Sequence, residues 1–264
     1  MTASPDQAWY VYAVLPAHSQ TVPNAPCVLA GSTLGTIRQG ALAALVSLVP
    51  RAAFAADQAA CRAADPGWVA ACAQAHHDVV QLVASAGPCL PLGFGTLFTS
   101  DTAVRHWLAG NAQRMQHALD LLSDQQEWAL TLSEDPSAHA AWLKAHDPEL
   151  LRLAAAAEAA PPGTGFLLER RLAKAIDAAR EAHGAAVGAR VLEHLRAAHG
   201  QVRQEATRQG AAWSVLAPRD SQVAARIDAA AAALVAGTGL ALRLTGPWPP
   251  YAFARAAWAE QAHA

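Results

Sequence analysis

The sequence predicts an α+β protein of two domains, and three observations carry that prediction. Short β-branched or aromatic runs stop at proline, as Trp9–Leu15 does at Pro16. Longer segments repeat apolar residues every three or four positions. In the second half these segments follow in the order strand, helices, strand, helix, strand, which points to helices layered on a mainly antiparallel sheet. The polar stretch Ser123–Gln126 marks the boundary, so residues 1–124 form an N-terminal α+β domain and 125–264 a C-terminal one.

Each element has its own signal. Trp9–Leu15 is the opening strand, and Cys27–Ala30, bounded by Pro26 and Gly31, is a second strand candidate. Ala41–Val49 reads equally as strand or helix, because periodicity does not separate the two in so short a run. A helix follows over about Gly67–Ala84, with Val69, Cys72, His76, Val79, Val80 and Val83 on one apolar stripe and a stop at Gly87-Pro88. Cys89–Phe98 reads as a strand whose proline and glycines mark an edge or a bulge. Ser100 or Asp101 caps a helix running to about Leu122. Trp128–Leu132 is the next strand. Helices are expected at Ser137–Ala145, at Pro148–Ala159 and from about Thr164. Within Ala185–Gln209, the residues Val187, Val191, Leu195, Ala198 and Val202 form a narrow apolar seam. Ala212–Leu216 is a strand, Val223, Ile227, Ala230 and Leu234 line a helix, and Leu240–Leu244 is the last strand.

Composition removes several classes of function. Charged residues make up 15% of the 264 residues, below the ~25% of an average globular protein. The formal charge is −2 and no basic run occurs, which argues against nucleic-acid binding. The four cysteines, Cys27, Cys61, Cys72 and Cys89, are scattered without a CxxC pair, as expected of buried thiols in a reducing compartment. The first residues lack a basic stretch followed by a long apolar one. The apolar run Ala229–Leu242 is interrupted by Gly237-Thr238-Gly239 and is too short to span a bilayer. The expected location is the cytoplasm, without a membrane partner.

The chemistry-bearing constellations are thin. His76-His77 invites a metal reading, but adjacent helical residues diverge by about 100°, and helical zinc ligands use i, i+4 spacing. A hydrogen-bonded core histidine with a solvated neighbour is the preferred reading. The other nine histidines show no ligand spacing. Pro161-Pro162-Gly163-Thr164-Gly165 opens a helix but lacks the Lys and hydroxyl ending of a phosphate loop. Glu169 suits the first turns of that helix, whereas Arg170 and Arg171 do not. They form either a partner contact or a solvated face. No nucleophile elbow or closely spaced acid pair is present, so no catalytic residue, metal or cofactor is expected.

The segment LTGPWPPYAFA, Leu244–Ala254, holds three prolines and three aromatic residues between Pro247 and Phe253. Pro249 and Pro250 disfavour continuation of a strand or helix. The expectation is a stiff, polyproline-like arm bearing Trp248, Tyr251 and Phe253. It is either a strap over the protein's own core or a partner contact; burial of each ring contributes on the order of 2–3 kcal/mol.

Five blocks, WYVYAV, AHHDVV, LPLGFGTLF, GTGFLLERRLAKAI and LTGPWPPYAF, together give the chain a resemblance to the gas vesicle protein F/L family (GvpF/GvpL). The resemblance covers nearly the whole chain and is most specific in the last block. The family usually has Arg where this chain has Gly93. The resemblance implies that the second domain is a modified ferredoxin-like fold with added helices and a C-terminal extension, and that the protein is not an enzyme. It also implies partners: the hydrophobic shell protein GvpA and other accessory proteins of vesicle assembly, with some members placed on the vesicle itself. Trp248, Pro249, Pro250, Tyr251, Phe253, Arg170 and Arg171 are the candidate partner-binding residues. Two other functions remain open: a minor component retained in the vesicle wall, and a metal-dependent hydrolase using the histidines.

Overall fold

The computed structural model describes residues 6–19, 25–54, 65–199, 201–205, 211–219 and 222–260. Cys61 and residues 206–209 of the expected long helix lie outside these. The chain divides into two compact units. One runs up to Glu127 and resumes at Pro247; the other is Trp128–Gly246. In this division the boundary falls after Glu127, and the C-terminal segment groups with the first unit.

In the first unit, β1 (Gln7–Pro16), β2 (Leu34–Gln39), β3 (Leu42–Pro50), β4 (Leu90–Pro91) and β5 (Leu97–Phe98) form one sheet in the order β2-β3-β1-β4, with β5 also on β1. The antiparallel pair β1–β3 runs from Gln7 opposite Pro50 to Pro16 opposite Leu42. A register shift between Val11 and Ala13 bulges β1 at Tyr12. The extra residue lets Tyr10, Tyr12, Ala13 and Leu15 join one core cluster. That core is completed by α1 (Pro66–Ala86), whose Cys72, His76, Val79, Val80 and Val83 are buried as its stripe predicts. The start of α1 is fixed locally: the Asp65 carboxylate accepts from the amides of Gly67 and Trp68, and Pro66 occupies the first turn. Gly87 NH closes its end on the Val83 carbonyl.

Three expectations are corrected here. Cys27–Ala30 is irregular chain, not strand: Val28 NH is taken by the Tyr12 hydroxyl at 3.0 Å rather than by a ladder. The second strand is instead β2, LGTIRQ, which buries only Ile37 and so carries almost no apolar alternation. Gly40, at φ +57°, turns it into β3, which settles the Ala41–Val49 ambiguity as strand. Cys89–Phe98 is two short ladders, β4 and β5, both on β1 and separated by a turn with Gly95 at φ +86°. Ser100, not Asp101, caps α2 (Asp101–Gly110), accepting from Ala103 NH. Asn111 then breaks the expected single helix, and α3 (Ala112–Leu121) follows. Buried Cys27, Cys72 and Cys89 are thiols.

The second unit carries β6 (Gln125–Glu134), α4 (Pro136–His146), α5 (Pro148–Ala159), α6 (Pro162–His199), β7 (Gln201–Glu205), β8 (Ala211–Pro218), α7 (Val223–Val235) and β9 (Leu240–Trp248). Its four-stranded sheet has the order β7-β8-β6-β9, with β7 antiparallel to β8 from Gln201 opposite Leu216. Helices α4 and α5 each open on Asp-Pro: Asp135 and Asp147 accept two backbone amides apiece, and the proline occupies a position that needs no donor. Val187, Val191 and Leu195 of α6 pack with Trp213, Val215, Ile227 and Leu240. The predicted seam ends there. Ala198 is exposed and Val202 lies on β7, because the helix stops at His199.

The last strand also runs further than expected. β9 lies at the sheet edge, the position at which a sheet accommodates a proline such as Pro247. The terminal segment is not a polyproline arm. After Pro249-Pro250 it becomes α8 (Tyr251–Glu260), the prolines standing just ahead of the first helical residue.

Candidate partner-binding surfaces

The aromatic C-terminal segment splits into a covered part and an open part. Pro249, Pro250 and Phe253 are buried and Tyr251 is half-buried. The amide of Ala252, in the first turn of α8, donates to the carboxylate of buried Glu127 at 3.1 Å, which places a negative group at the positive end of the helix. Pro247 O accepts from the Gln81 amide at 3.0 Å. Trp248 differs: its indole is 39% exposed and leans on the His77 ring, with centroids 5.5 Å apart. Strap and surface thus coexist within six residues. Trp248→Ala is expected to cost less than about 1 kcal/mol of stability, and urea unfolding checks it. A loss several times larger would make the indole part of the core.

The histidine pair behaves as its helical geometry requires. His76 is buried and held at both nitrogens: Nδ1 accepts from the Tyr10 hydroxyl at 2.9 Å, and Nε2 donates to Leu92 O at 3.1 Å. Its ring stacks on Tyr12, and burial pulls its pKa down to about 4. The Tyr10 hydroxyl also accepts from Gly95 NH, and burial raises its pKa. Burial likewise pushes Tyr12 up to about 12. This neutral network pins the β4–β5 connection to the sheet. His77 is half-buried beside Trp248.

In the second unit the fold assembles a cluster that no sequence spacing announced. Glu134 Oε1 accepts from Arg180 Nε and from His139 Nδ1, each at 2.7 Å. His139 Nε2 meets His183 Nδ1 at 2.8 Å. Trp142 stacks with both His146 and His183, at centroid distances of 4.7 and 4.9 Å. The Arg180 bond, then that of His139, holds the Glu134 carboxyl below its usual range, and burial lowers His183. The partners come from β6, α4 and α6, so 44 residues separate the two bonded histidines. With Glu134 ionised, His139 donates to it from Nδ1 and accepts at Nε2. The chain therefore ties α4 to α6 through one defined tautomer. Among the described residues no group of His, Cys, Asp or Glu has the geometry to hold a metal ion.

Arg170 and Arg171 are exposed on α6. One turn earlier the same helix leaves Phe166 60% and Leu167 65% exposed. No spacing in the sequence singles out this pair, because exposure depends on which face of α6 its neighbours cover. Two neighbouring large apolar side chains thus stand in solvent one turn ahead of two exposed guanidinium groups. No helix is long and apolar enough to cross a membrane among the described residues.

Residues 8–255 match the family Gas vesicle synthesis protein GvpL/GvpF, and the chain belongs to that family. It is similar to gas vesicle protein L of a Streptomyces species, at 29% identity over 95% of this chain and 94% of that one. It is also similar to gas vesicle protein L2 of Halobacterium salinarum, at 31% identity over 68% of this chain and 69% of the relative. In fold it resembles the crystal structure of GvpF from Anabaena, with a TM-score of 0.72 at 15% identity over 94% of this chain and 98% of that one. The protein is thus a gas vesicle protein that takes part in vesicle formation.

Proposed function

We propose that this protein is an assembly factor that binds the hydrophobic, GvpA-like shell protein, together with other accessory proteins, in the cytoplasm and at the growing vesicle. A shell subunit with a gas-facing apolar surface aggregates unless that surface is covered before insertion. The observation that carries the reading is the exposed Phe166–Leu167 pair beside Arg170 and Arg171. The apolar side chains cover part of the client, and the arginines pair with its acidic groups. Trp248 is a second candidate contact, backed by Pro249, Pro250, Tyr251 and Phe253, which hold its position. The strand order β7-β8-β6-β9 supports reading the second unit as a modified ferredoxin-like fold.

The test is co-expression with the shell protein encoded in the same gene cluster, followed by size-exclusion chromatography of the soluble fraction. The shell protein is expected to be insoluble alone and to co-elute with this chain. The double variant Phe166→Ser, Leu167→Ser should reduce the co-eluting shell protein about tenfold, equivalent to about 1.4 kcal/mol, while moving Tm by less than about 2 °C, since both side chains already face solvent. A shell protein that remains insoluble beside the unaltered chain overturns the reading.

A further inference from the structure

Three ionisable side chains of the second unit meet where β6, α4 and α6 come together. Buried His139 lies at the centre with both ring nitrogens engaged, Nδ1 with Glu134 Oε1 at 2.7 Å and Nε2 with His183 Nδ1 at 2.8 Å. The second of these bonds joins α4 to α6 directly, side chain to side chain. Half-buried Trp142, one turn beyond His139 on α4, stacks on the His183 ring.

The charges that face this chain come from each neighbouring element in turn. β6 supplies Glu134, whose carboxylate also accepts from Arg180 Nε of α6 at 2.7 Å. Arg180 pairs as well with exposed Asp177 at 3.1 Å. On α4, exposed His146 stacks on Trp142, and the Asp135 carboxylate is taken up by the Ser137 and Ala138 amides. Helix α5 packs on α4 and α6 without adding a charge that acts on Glu134 or His183. The Thr238-Gly239 turn, which touches the start of α4, carries no ionisable side chain.

One proton fits between the two imidazoles, and this limits what the pair binds. At neutral pH His139 donates from Nδ1 to ionised Glu134, and His183 donates from Nδ1 to His139 Nε2. The lone pair of His183 Nε2 is then the position open to a proton. A first proton taken up there is passed along: the Nδ1 proton of His183 moves to His139 Nε2, leaving His183 neutral and an imidazolium against the Glu134 carboxylate. A second proton has only His183 Nδ1 to occupy, which by then accepts from His139. Two N–H groups cannot face each other at 2.8 Å, so binding it breaks the bond and sets two cations side by side.

We infer that Glu134, His139 and His183 form a proton-operated latch that holds α4 against α6 at neutral pH and releases it on acidification. Release uncovers the side of α4 that carries buried Leu143. The sign follows from where the protons bind. Freed imidazoles each protonate near pH 6.5, whereas the closed pair resists its second proton and burial holds His183 below its ordinary value. Acid therefore favours the open form, whose population grows about tenfold per pH unit for each extra proton it binds.

Hydrogen–deuterium exchange of the full chain at pH 7.5, 6.5 and 5.5, corrected for the intrinsic pH dependence of exchange, tests the latch. Protection of the α4 amides should fall about tenfold between pH 6.5 and 5.5, while β8 of the same unit stays protected. His183→Gln removes the second charge and should flatten that dependence. Glu134→Gln keeps both histidines but removes the counter-charge of the imidazolium, so α4 should open at higher pH. Constant α4 protection in the parent overturns the latch, and so does a dependence that survives His183→Gln. Loss of β8 protection in step with α4 overturns it too, since the whole unit would then be unfolding. Should His183→Gln fail to fold, Glu134→Gln decides alone, and an unshifted opening there overturns the latch.

Discussion

Gly239→Ala is expected to destabilise the second unit by on the order of 4 kcal/mol. Gly239 has φ +81°, where an L side chain costs about 1–2 kcal/mol. The larger share comes from position. A Cβ there would lie 2.2 Å from His139 N, 2.6 Å from His139 Cα and 2.7 Å from Ala138 C, all backbone atoms of the first turn of α4. Gly239 O also accepts from Asp135 NH at 3.0 Å, and Asp135 is the residue that caps that turn. The added methyl has no flexible neighbour to push aside. The helix start must move, and with it the Glu134–His139–His183 chain. Gly237→Ala serves as the control: its φ is +72°, but nothing lies within 4 Å, so only the conformational cost of about 1 kcal/mol remains. Urea unfolding of the two variants measures the difference. Equal losses would mean that the α4 contact yields without cost.

The second large effect is acid destabilisation of the first unit through His76. In the unfolded chain this imidazole protonates near pH 6.5; in the folded protein, buried between Tyr10 and Leu92 O, it protonates near 4. Between those values the unfolded state binds more protons, so stability falls as the pH falls. The contribution is fully present above about pH 6.5. It declines by about 1.4 kcal/mol per pH unit and amounts to about 3 kcal/mol lost near pH 4. His183 acts in the same direction in the second unit. Glu134, an acid held below its usual range, adds a loss at lower pH as its carboxylate is protonated. Denaturant unfolding of the parent and of His76→Gln at pH 7.5 and 4.5 isolates the His76 share. The variant should be less stable at neutral pH and should show a shallower pH dependence. An unchanged slope would remove His76 as the cause.

Local chemistry was legible in the chain to the extent that it acts over a few residues. Pro148 announces a helix start, Gly87-Pro88 announces a stop, and the Val79–Val80–Val83 stripe faces the core as its spacing requires. The two histidines on α1 divide into a buried, hydrogen-bonded one and a half-buried one because adjacent helical side chains cannot share a direction. Misreadings fall where a partner distant in sequence decides the outcome. β2 is a strand because β3 pairs with it, although its own residues are polar and small. β4 and β5 are separate because β1 engages each through a different pair of residues.

The candidate surfaces divide in the same way. The block holding Arg170 and Arg171 could be placed on a helix from the sequence, but that Phe166 and Leu167 stay outside the core depends on which face of α6 its neighbours cover. The Pro-rich segment was visible as stiff and aromatic. That Pro249 and Pro250 lead into a helix, with Phe253 inside and Trp248 partly outside, depends on Glu127 and α1 being there to receive it.

By itself, then, the sequence determined the α+β class, most helix boundaries and the family, since these rest on caps, periodicity and blocks of adjacent residues. Tertiary structure alone decided the strand pairings, the Glu134–His139–His183 chain and the exposure of each aromatic ring. The physical reason is range: capping and amphipathic spacing act within one or two turns, whereas pairing and burial depend on surfaces that only the folded chain brings together.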